Sequence, residues 1–408
     1  MAMHGSVDRL LSVNNAMQSK QTVQVTLLIL IGLGLLAVIF YTPVWWVSLT
    51  APNYPAESFP DGVRIHFHMN GVFNGCEKQE KAEIAEEEAL DCVHEMDTIN
   101  HYVGMYPIAA GGPVERGFSQ FLMAFLGVML IGFIFTSPKQ RMVVLSVGFV
   151  AIAAWMALTI YSSNGFELQN KGYVSALVTS LDQEATGETS EPEIVIGGIA
   201  GMLKESLEES GVEVILPSQV EAAKKAGQQS AGADKTHLIK QLKLTYDIDQ
   251  VKSDSLKPWD GSAFQVMSWH YAKSLGRYFN NPQEIEPMVK NLELAVHLVF
   301  YAILGAMALV VFGSRKNSGL LYWLLIVVPI ALPLFFVIDY SAWLWWYGHT
   351  LNDMGAFSVK PFMPTVFGDG KVAQFTTHSY PYIGFGLMVL MSLVLAMAAL
   401  LRFKQLKD

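Results

Sequence analysis

The side chains best equipped for chemistry in this 408-residue chain are its imidazoles, its thioethers and a single pair of thiols. There are ten histidines, unevenly spaced. His66 and His68 stand two apart in the alternating run VRIHFHM, which reads as a strand, so both point to one side as a His-x-His unit. His101 and Met105 stand four apart, and on a helix they would share one face. His349 follows an aromatic run of Trp343, Trp345, Trp346 and Tyr347, while His378 lies just before Pro381. Imidazole suits copper, zinc, iron and nickel, whereas thioether sulfur selects Cu(I) among the biological metals. The pattern points to a Cu(I) site with His101, Met105 and His349 at its centre and His378, His66 and His68 as further candidate ligands. Asn100 and Asp339 are candidates to orient those ligands from behind. The plain alternative is that polar side chains of an apolar protein collect wherever water is.

Cys76 and Cys92 are the only cysteines, too few for a disulfide scaffold or a zinc ribbon. In an oxidising compartment they pair by default, closing a loop worth roughly 3 kcal/mol. A copper-thiolate pair is the sharper alternative. No Cys-x-x-Cys-His is present for covalent haem, and no Gly-x-Ser-x-Gly for a serine nucleophile. His297 is the one histidine inside an apolar stretch, so it lacks the facing partner that an intramembrane haem requires. These absences lead to the expectation of a protein that is not an enzyme.

The elements that must position these residues follow from composition. Hydrophobic residues make up 52% of the chain and charged residues only 15%, with a mean hydropathy of +0.33. A soluble domain carries about 25% charge, so the composition is that of a polytopic membrane protein with exposed portions. The net charge of -9 leaves no basic excess for nucleic acid, and no phosphate-binding loop for a nucleotide occurs. Six stretches reach the roughly 20 apolar residues that a hydrocarbon core demands: Val23–Trp46, Phe118–Phe135, Met142–Tyr161, Leu294–Phe312, Leu320–Ile338 and Tyr382–Leu401. None contains Asp, Glu, Lys or Arg, and Pro333 interrupts the fifth.

The short connections share one sign. Arg9 and Lys20, Lys139 and Arg141, Arg315 and Lys316, then Arg402, Lys404 and Lys407 fall on one side, against only Asp8 and Asp408. The positive-inside rule makes that side cytoplasmic, with both tails (1–22 and 402–408) there. Three long loops, 49–117, 162–293 and 339–381, then face outward and carry most of the histidines. Loops this long are functional or folded in their own right. The first holds the VRIHFHM strand and an acidic helix-former over 77–97. The second, between the polar linkers Gln183–Glu193 and Lys224–Lys235 and beyond them, reads as a small α+β or mainly helical soluble domain. The fold class expected is an all-α polytopic membrane protein with six transmembrane helices.

Three segments also resemble a known family. APNYP (51–55), NHYVGM (100–105), and YGHTL (347–351) with FTTHSYP (375–381) are similar to a family of polytopic bacterial membrane proteins encoded near the maturation genes of nitrous oxide reductase. A copper chaperone lipoprotein is among those neighbours, so the resemblance implies copper handling at the outer face of the inner membrane. It supports Asn100, His101, Met105 and His349; it does not extend to His66, His68, Cys76 or Cys92. The expected function is a membrane-anchored copper-handling accessory protein, with a periplasmic copper chaperone or copper enzyme as partner. The alternative is a structural or assembly subunit among the other subunits of a respiratory or monooxygenase complex. A transporter is disfavoured because the spans carry neither charges nor inverted repeats.

Overall fold

The computed structural model describes residues 2–76, 91–182, 234–253, 256–316, 319–356, 360–372 and 374–407, with backbone alone for 2–19 and 372. The part of the acidic helix-former from 77 to 90, and residues 183–233 with the whole stretch between the two polar linkers, lie outside the described residues.

Helix α1 (Ala2–Tyr41) opens the chain, and its part from Lys20 is long and apolar enough to cross a membrane. It stops at Thr42-Pro43, because a proline disfavours helical backbone in the residue before it. The chain leaves as strand β1 (Trp45–Thr50), so Trp45 and Trp46 belong to a strand and not to the end of a span. Strands β2 (Val63–His68) and β3 (Gly71–Asn74) form an antiparallel hairpin. After α2 (Cys92–Tyr102) come the apolar helices α3 (Pro113–Ile134) and α4 (Pro138–Tyr161). Each begins on a proline, which fits the first helical position because that N–H has no partner there anyway. Helices α5 (Lys171–Asp182), α6 (Lys235–Lys252) and α7 (Ala263–Gly276) lead to the long α8 (Pro282–Gly313).

Helices α9 (Leu320–Ile330) and α10 (Leu332–His349) meet at a 64° bend, flanked by Pro329 and Pro333, which withhold the donors a continuous helix needs. The Ile330 carbonyl left at this break accepts from Ser392 Oγ at 2.7 Å. Strands β4 (Gly368–Val372) and β5 (Phe375–Pro381) precede the last helix, α11 (Ile383–Lys407). Among the described residues five helices are thus long and apolar enough to span, or six if the bent pair forms one span.

The chain is mostly helical but not all-α. The first and third loops build one five-stranded sheet in the order β3-β2-β1-β5-β4. Helices α1 and α11 cause this. They pack side by side, with Gly32 so close to Leu395 that a Cβ would fall 2.7 Å from its side chain. Their continuations emerge together and pair antiparallel, Trp45 opposite Pro381 and Thr50 opposite Thr376. The join is stitched by Gly384 N to Pro43 O at 2.8 Å and Tyr382 N to Val44 O at 2.9 Å. Trp45 Nε1 donates to Ser379 Oγ at 2.9 Å beneath the sheet.

The opposite end of the bundle is closed by two fully buried arginines. Arg141 donates to the carbonyls of Ser314, Phe135 and Lys316, and Arg402 to those of Phe133 and Ile134. Most of these carbonyls lie at the C-terminal ends of α3 and α8, where helices leave acceptors unpaired and the dipole favours a cation. At the sheet end, α5 packs on β3 and α6, while α7 packs on α3 and α4.

Candidate functional site

Helix α2 is the beam on which the sheet end is built. The Asp91 side chain caps it, accepting from the amides of Val93 and His94 at 3.0 and 3.2 Å. Its two faces do different work. On one, Asp97 is fully buried and accepts from Ile108 N at 2.7 Å, holding the turn Ile108–Ala110 under the helix. Burial pushes the Asp97 carboxyl up to about 7 despite those amide bonds. His94 and His101 lie toward the connection between α7 and α8. His94 Nδ1 is 3.1 Å from Arg277 Nη2, and the His101 ring stacks on Tyr278 and tilts against Phe279, centroids 5.2 and 4.8 Å away.

The other face, with Met96, Ile99, Asn100 and the following Val103, walls a cavity of about 80 Å³. Val47 and Leu49 of β1, Thr377 and Phe375 of β5, Tyr340 and Leu344 of α10, and the 362–365 loop close it. Its lining is almost entirely apolar. Met96 and Met105 bring two thioethers to the wall, both buried. Asn100 is 7% exposed, and its Nδ2 has no hydrogen-bond partner among the described residues. A space of this size admits a few waters or one small ligand.

Two of the four segments quoted above line this cavity, and the chain just beyond a third is joined to its wall. Asn100 and Met105 come from NHYVGM, Phe375 and Thr377 from FTTHSYP, and YGHTL runs straight into Asn352, whose amide donates to Gly104 O at 2.8 Å. The fourth, APNYP, is tied to α2 through Tyr54 OH to Glu95 at 3.0 Å.

The expected ligand set is not brought together. His101 and Met105 do not share a helix face, because α2 ends at Tyr102 and Gly104 at φ +85° reverses the chain between them. Met105 turns into the cavity wall, whereas His101 is held in its aromatic stack, its Nδ1 buried without a hydrogen-bond partner among the described residues and its ring kept below the ordinary histidine value by burial. His349, at the last residue of α10, is exposed; it stacks on Trp345 at 4.4 Å with Nδ1 2.8 Å from the Trp345 carbonyl. His378 sits on β5 with Nδ1 2.7 Å from Asp369 Oδ1, which lowers that carboxyl, and Nε2 3.5 Å from Thr50 Oγ1.

His66 and His68 lie on the same side of β2, alongside Arg64, and opposite the face that bears Val63 and Ile65. Burial first and the Arg64 charge second hold His66 below its usual value, and burial takes His68 down to about 4. A neighbouring guanidinium, stacked over Trp46 at 4.2 Å, makes this pair a poor seat for a cation. Asp339 is exposed along α10 and shares a hydrogen bond with Glu115, which also accepts from Trp343 Nε1 at 3.3 Å. The partner of Asp339 is thus a carboxylate, not a histidine. Cys76 and Cys92 form a disulfide with Cα atoms 6.0 Å apart. Among the described residues no three His, Cys, Asp or Glu side chains are grouped to hold a metal.

Sequence reasoning missed the second thioether and the walls from α10 and the 362–365 loop. Met96 and Asn100 stand four apart on the one helix that carries both, the same spacing signal given to His101 and Met105. Comparison with protein-family models, with curated proteins and with solved structures yields no match.

Proposed function

We propose that this chain is a non-catalytic, multi-pass protein of the bacterial inner membrane that holds Cu(I) as cargo at the outer face and passes it to a copper chaperone or a copper enzyme such as nitrous oxide reductase. Both termini lie on the cytoplasmic side in this reading, and the sheet end, with its cavity, faces outward. The observation that carries it is the pair of buried thioethers, Met96 and Met105, on the wall of a single apolar cavity. Thioether sulfur is a soft ligand that favours Cu(I) over hard, hydrated cations, and apolar walls penalise any ion that must keep its water. Asn100 supplies a buried amide of that wall whose donor is unspent among the described residues. Two weak donors suit a carrier, since a recipient with imidazole or thiolate ligands then draws the ion away. His101, His349 and Asp339 stand outside this ligand set.

The test is metal content by mass spectrometry on untagged protein, purified in mild detergent after copper-replete growth. The expected result is about one copper per chain, lost in Met96→Leu and Met105→Leu and kept in His349→Ala. Metal-free wild-type protein overturns the reading.

A second reading is a structural subunit of a larger membrane complex. It is favoured by the way His101, His349 and His378 are each engaged by a ring, a carbonyl or a carboxylate of their own. Stoichiometric co-purification with other subunits, without metal, distinguishes it.

A further inference from the structure

We infer that the Cys76–Cys92 bond is an exchangeable disulfide, and that its reduced form, together with Met96, is a three-sulfur Cu(I) site at the head of α2. The choice of Cu(I) rests on the reading above; the exchange of the disulfide does not.

The two cysteines are positioned without the bond that joins them. Asn74 Oδ1 accepts from both backbone amides, Cys76 N at 3.0 Å and Cys92 N at 3.3 Å. The end of β3 and the start of α2 are thus already clamped by a side chain, and a covalent staple adds little to their placement. Cys76 also has surroundings suited to either state. The Arg64 amide points at its sulfur from 3.4 Å, and the carbonyls of Gly62 and Arg64, 3.5 and 3.8 Å away, await a thiol proton.

The two sulfurs are unequal in a way that directs the reaction. Cys76 is partly exposed and Cys92 is fully buried. Cys92 is also the first residue of α2, and a helix N-terminus favours thiolate over thiol. An exported protein dithiol supplies the reductant. One of its thiolates attacks Cys76 Sγ, forming a mixed disulfide, while the Cys76–Cys92 bond breaks and its electron pair leaves on Cys92 Sγ. The second thiol of the dithiol then displaces Cys76, so the partner leaves as a disulfide and its two protons remain with the two cysteines or with water. Copper changes oxidation state nowhere in this sequence.

Metal selectivity follows from helical spacing. Met96 is one turn beyond Cys92 on a continuous helix, and long helical side chains lean toward the N-terminus, which carries the Met96 thioether back toward Cys92. Two thiolates and a thioether form a soft set suited to Cu(I). Because Met96 also walls the cavity, this site adjoins the Met96–Met105 pair, and an ion can pass between them by exchanging ligands about a shared sulfur.

The test uses the full chain in detergent, without oxygen. Protein is treated with excess dithiothreitol or left untreated, desalted, and alkylated with iodoacetamide with or without prior addition of Cu(I) as its bicinchoninate complex. The expected result is no alkylation of untreated protein, two alkyl groups on reduced protein, and protection of both thiols by Cu(I). In reduced protein Met96→Leu should weaken Cu(I) retention against bicinchoninate by at least about tenfold, as loss of a group supporting a metal does. A disulfide that withstands dithiothreitol while the fold is intact overturns the inference, as do two thiols alkylated equally with and without Cu(I). Copper content of the untreated Met105→Leu protein reads the cavity proposal separately, so either can fail alone.

Discussion

The amide of Asn352 donates to the carbonyl of Gly104 at 2.8 Å, joining the end of α2 to the chain just beyond α10. The bond exists because Gly104 adopts φ +85°, a conformation open to glycine and costly to other residues. It turns Met105 away from the helix and toward the cavity. A Cβ on Gly104 would also fall 2.8 Å from the Asn352 carbonyl. Gly104→Ala should therefore cost at least ~1–2 kcal/mol from backbone conformation alone. A lowered midpoint of denaturant unfolding in detergent and a loss of bound copper are the expected results. Unchanged values would mean the turn does not set the position of Met105.

At the other end of the bundle the arginines make a sharp contrast with their neighbours. Arg141 is fully buried and satisfies three backbone carbonyls, whereas Arg315 is exposed. Arg141→Ala strips the donor from these carbonyls, of which that of Ser314 belongs to a fully buried residue, and should destabilise the protein by about 3 kcal/mol. Arg141→Lys keeps the charge but loses the planar fork and should recover only part of that. Arg315→Ala should stay within about 0.5 kcal/mol of wild type. Thermal unfolding of the three variants decides it; equal effects would sink the capping role.

Asp97 gives a pH dependence with a definite sign. Its folded value near 7 lies above the unfolded 3.8, so the native state holds the proton more tightly. Stability from this group is full below about 3.8 and is lost as pH rises toward 7, by ~4 kcal/mol. Asp97→Asn should remove that decline while keeping an oxygen to accept from Ile108 N. Unfolding free energies between pH 4 and 7, wild type minus variant, should slope downward; a flat difference refutes the assignment.

His270 runs the other way. Buried on α7 between Ser180 Oγ at 2.8 Å and Ser274 Oγ at 3.3 Å, it is pushed down to about 3, by burial first and then by the charge of Arg116. Its folded value lies below the unfolded 6.5, so its contribution is full above 6.5 and is lost, by ~5 kcal/mol, as pH falls toward 3. His270→Gln should leave the neutral-pH stability nearest to wild type among substitutions there, and abolish the acid-side loss. An unchanged acid limb would show that the site admits the imidazolium.

The spans were legible because a hydrocarbon core demands long uncharged runs, and such runs show in sequence without regard to tertiary contacts. Of the sheet only the VRIHFHM strand was, as β2 (Val63–His68); its other strands were not, for two reasons visible at Trp45. Hydropathy does not separate an apolar helix end from an apolar strand, and only Pro43 marked the change. The partner of Trp45's strand lies in the 375–381 segment, with Trp45 and Ser379 separated by 334 positions, a distance over which no local pattern speaks. For the site, NHYVGM and FTTHSYP hold wall residues of the cavity, but their imidazoles, His101 and His378, are not among them. The buried donors are instead thioethers and an amide, while His101, His349 and His378 are occupied by Tyr278, Trp345 and Asp369.

That same separation has a consequence for the newborn chain. Strand β1 can pair with β2 soon after both are made, but its other edge stays open until residues 375–381 have been synthesised and have reached the same side. An open edge invites pairing with other chains, so through most of its synthesis the protein carries a surface that calls for protection. Phe375 and Thr377 are also among the last residues of the cavity wall to arrive. A chain halted before them has its helix beam and its thioethers but lacks this part of the wall around them, so under the proposed copper-holding role loading would wait for complete translation.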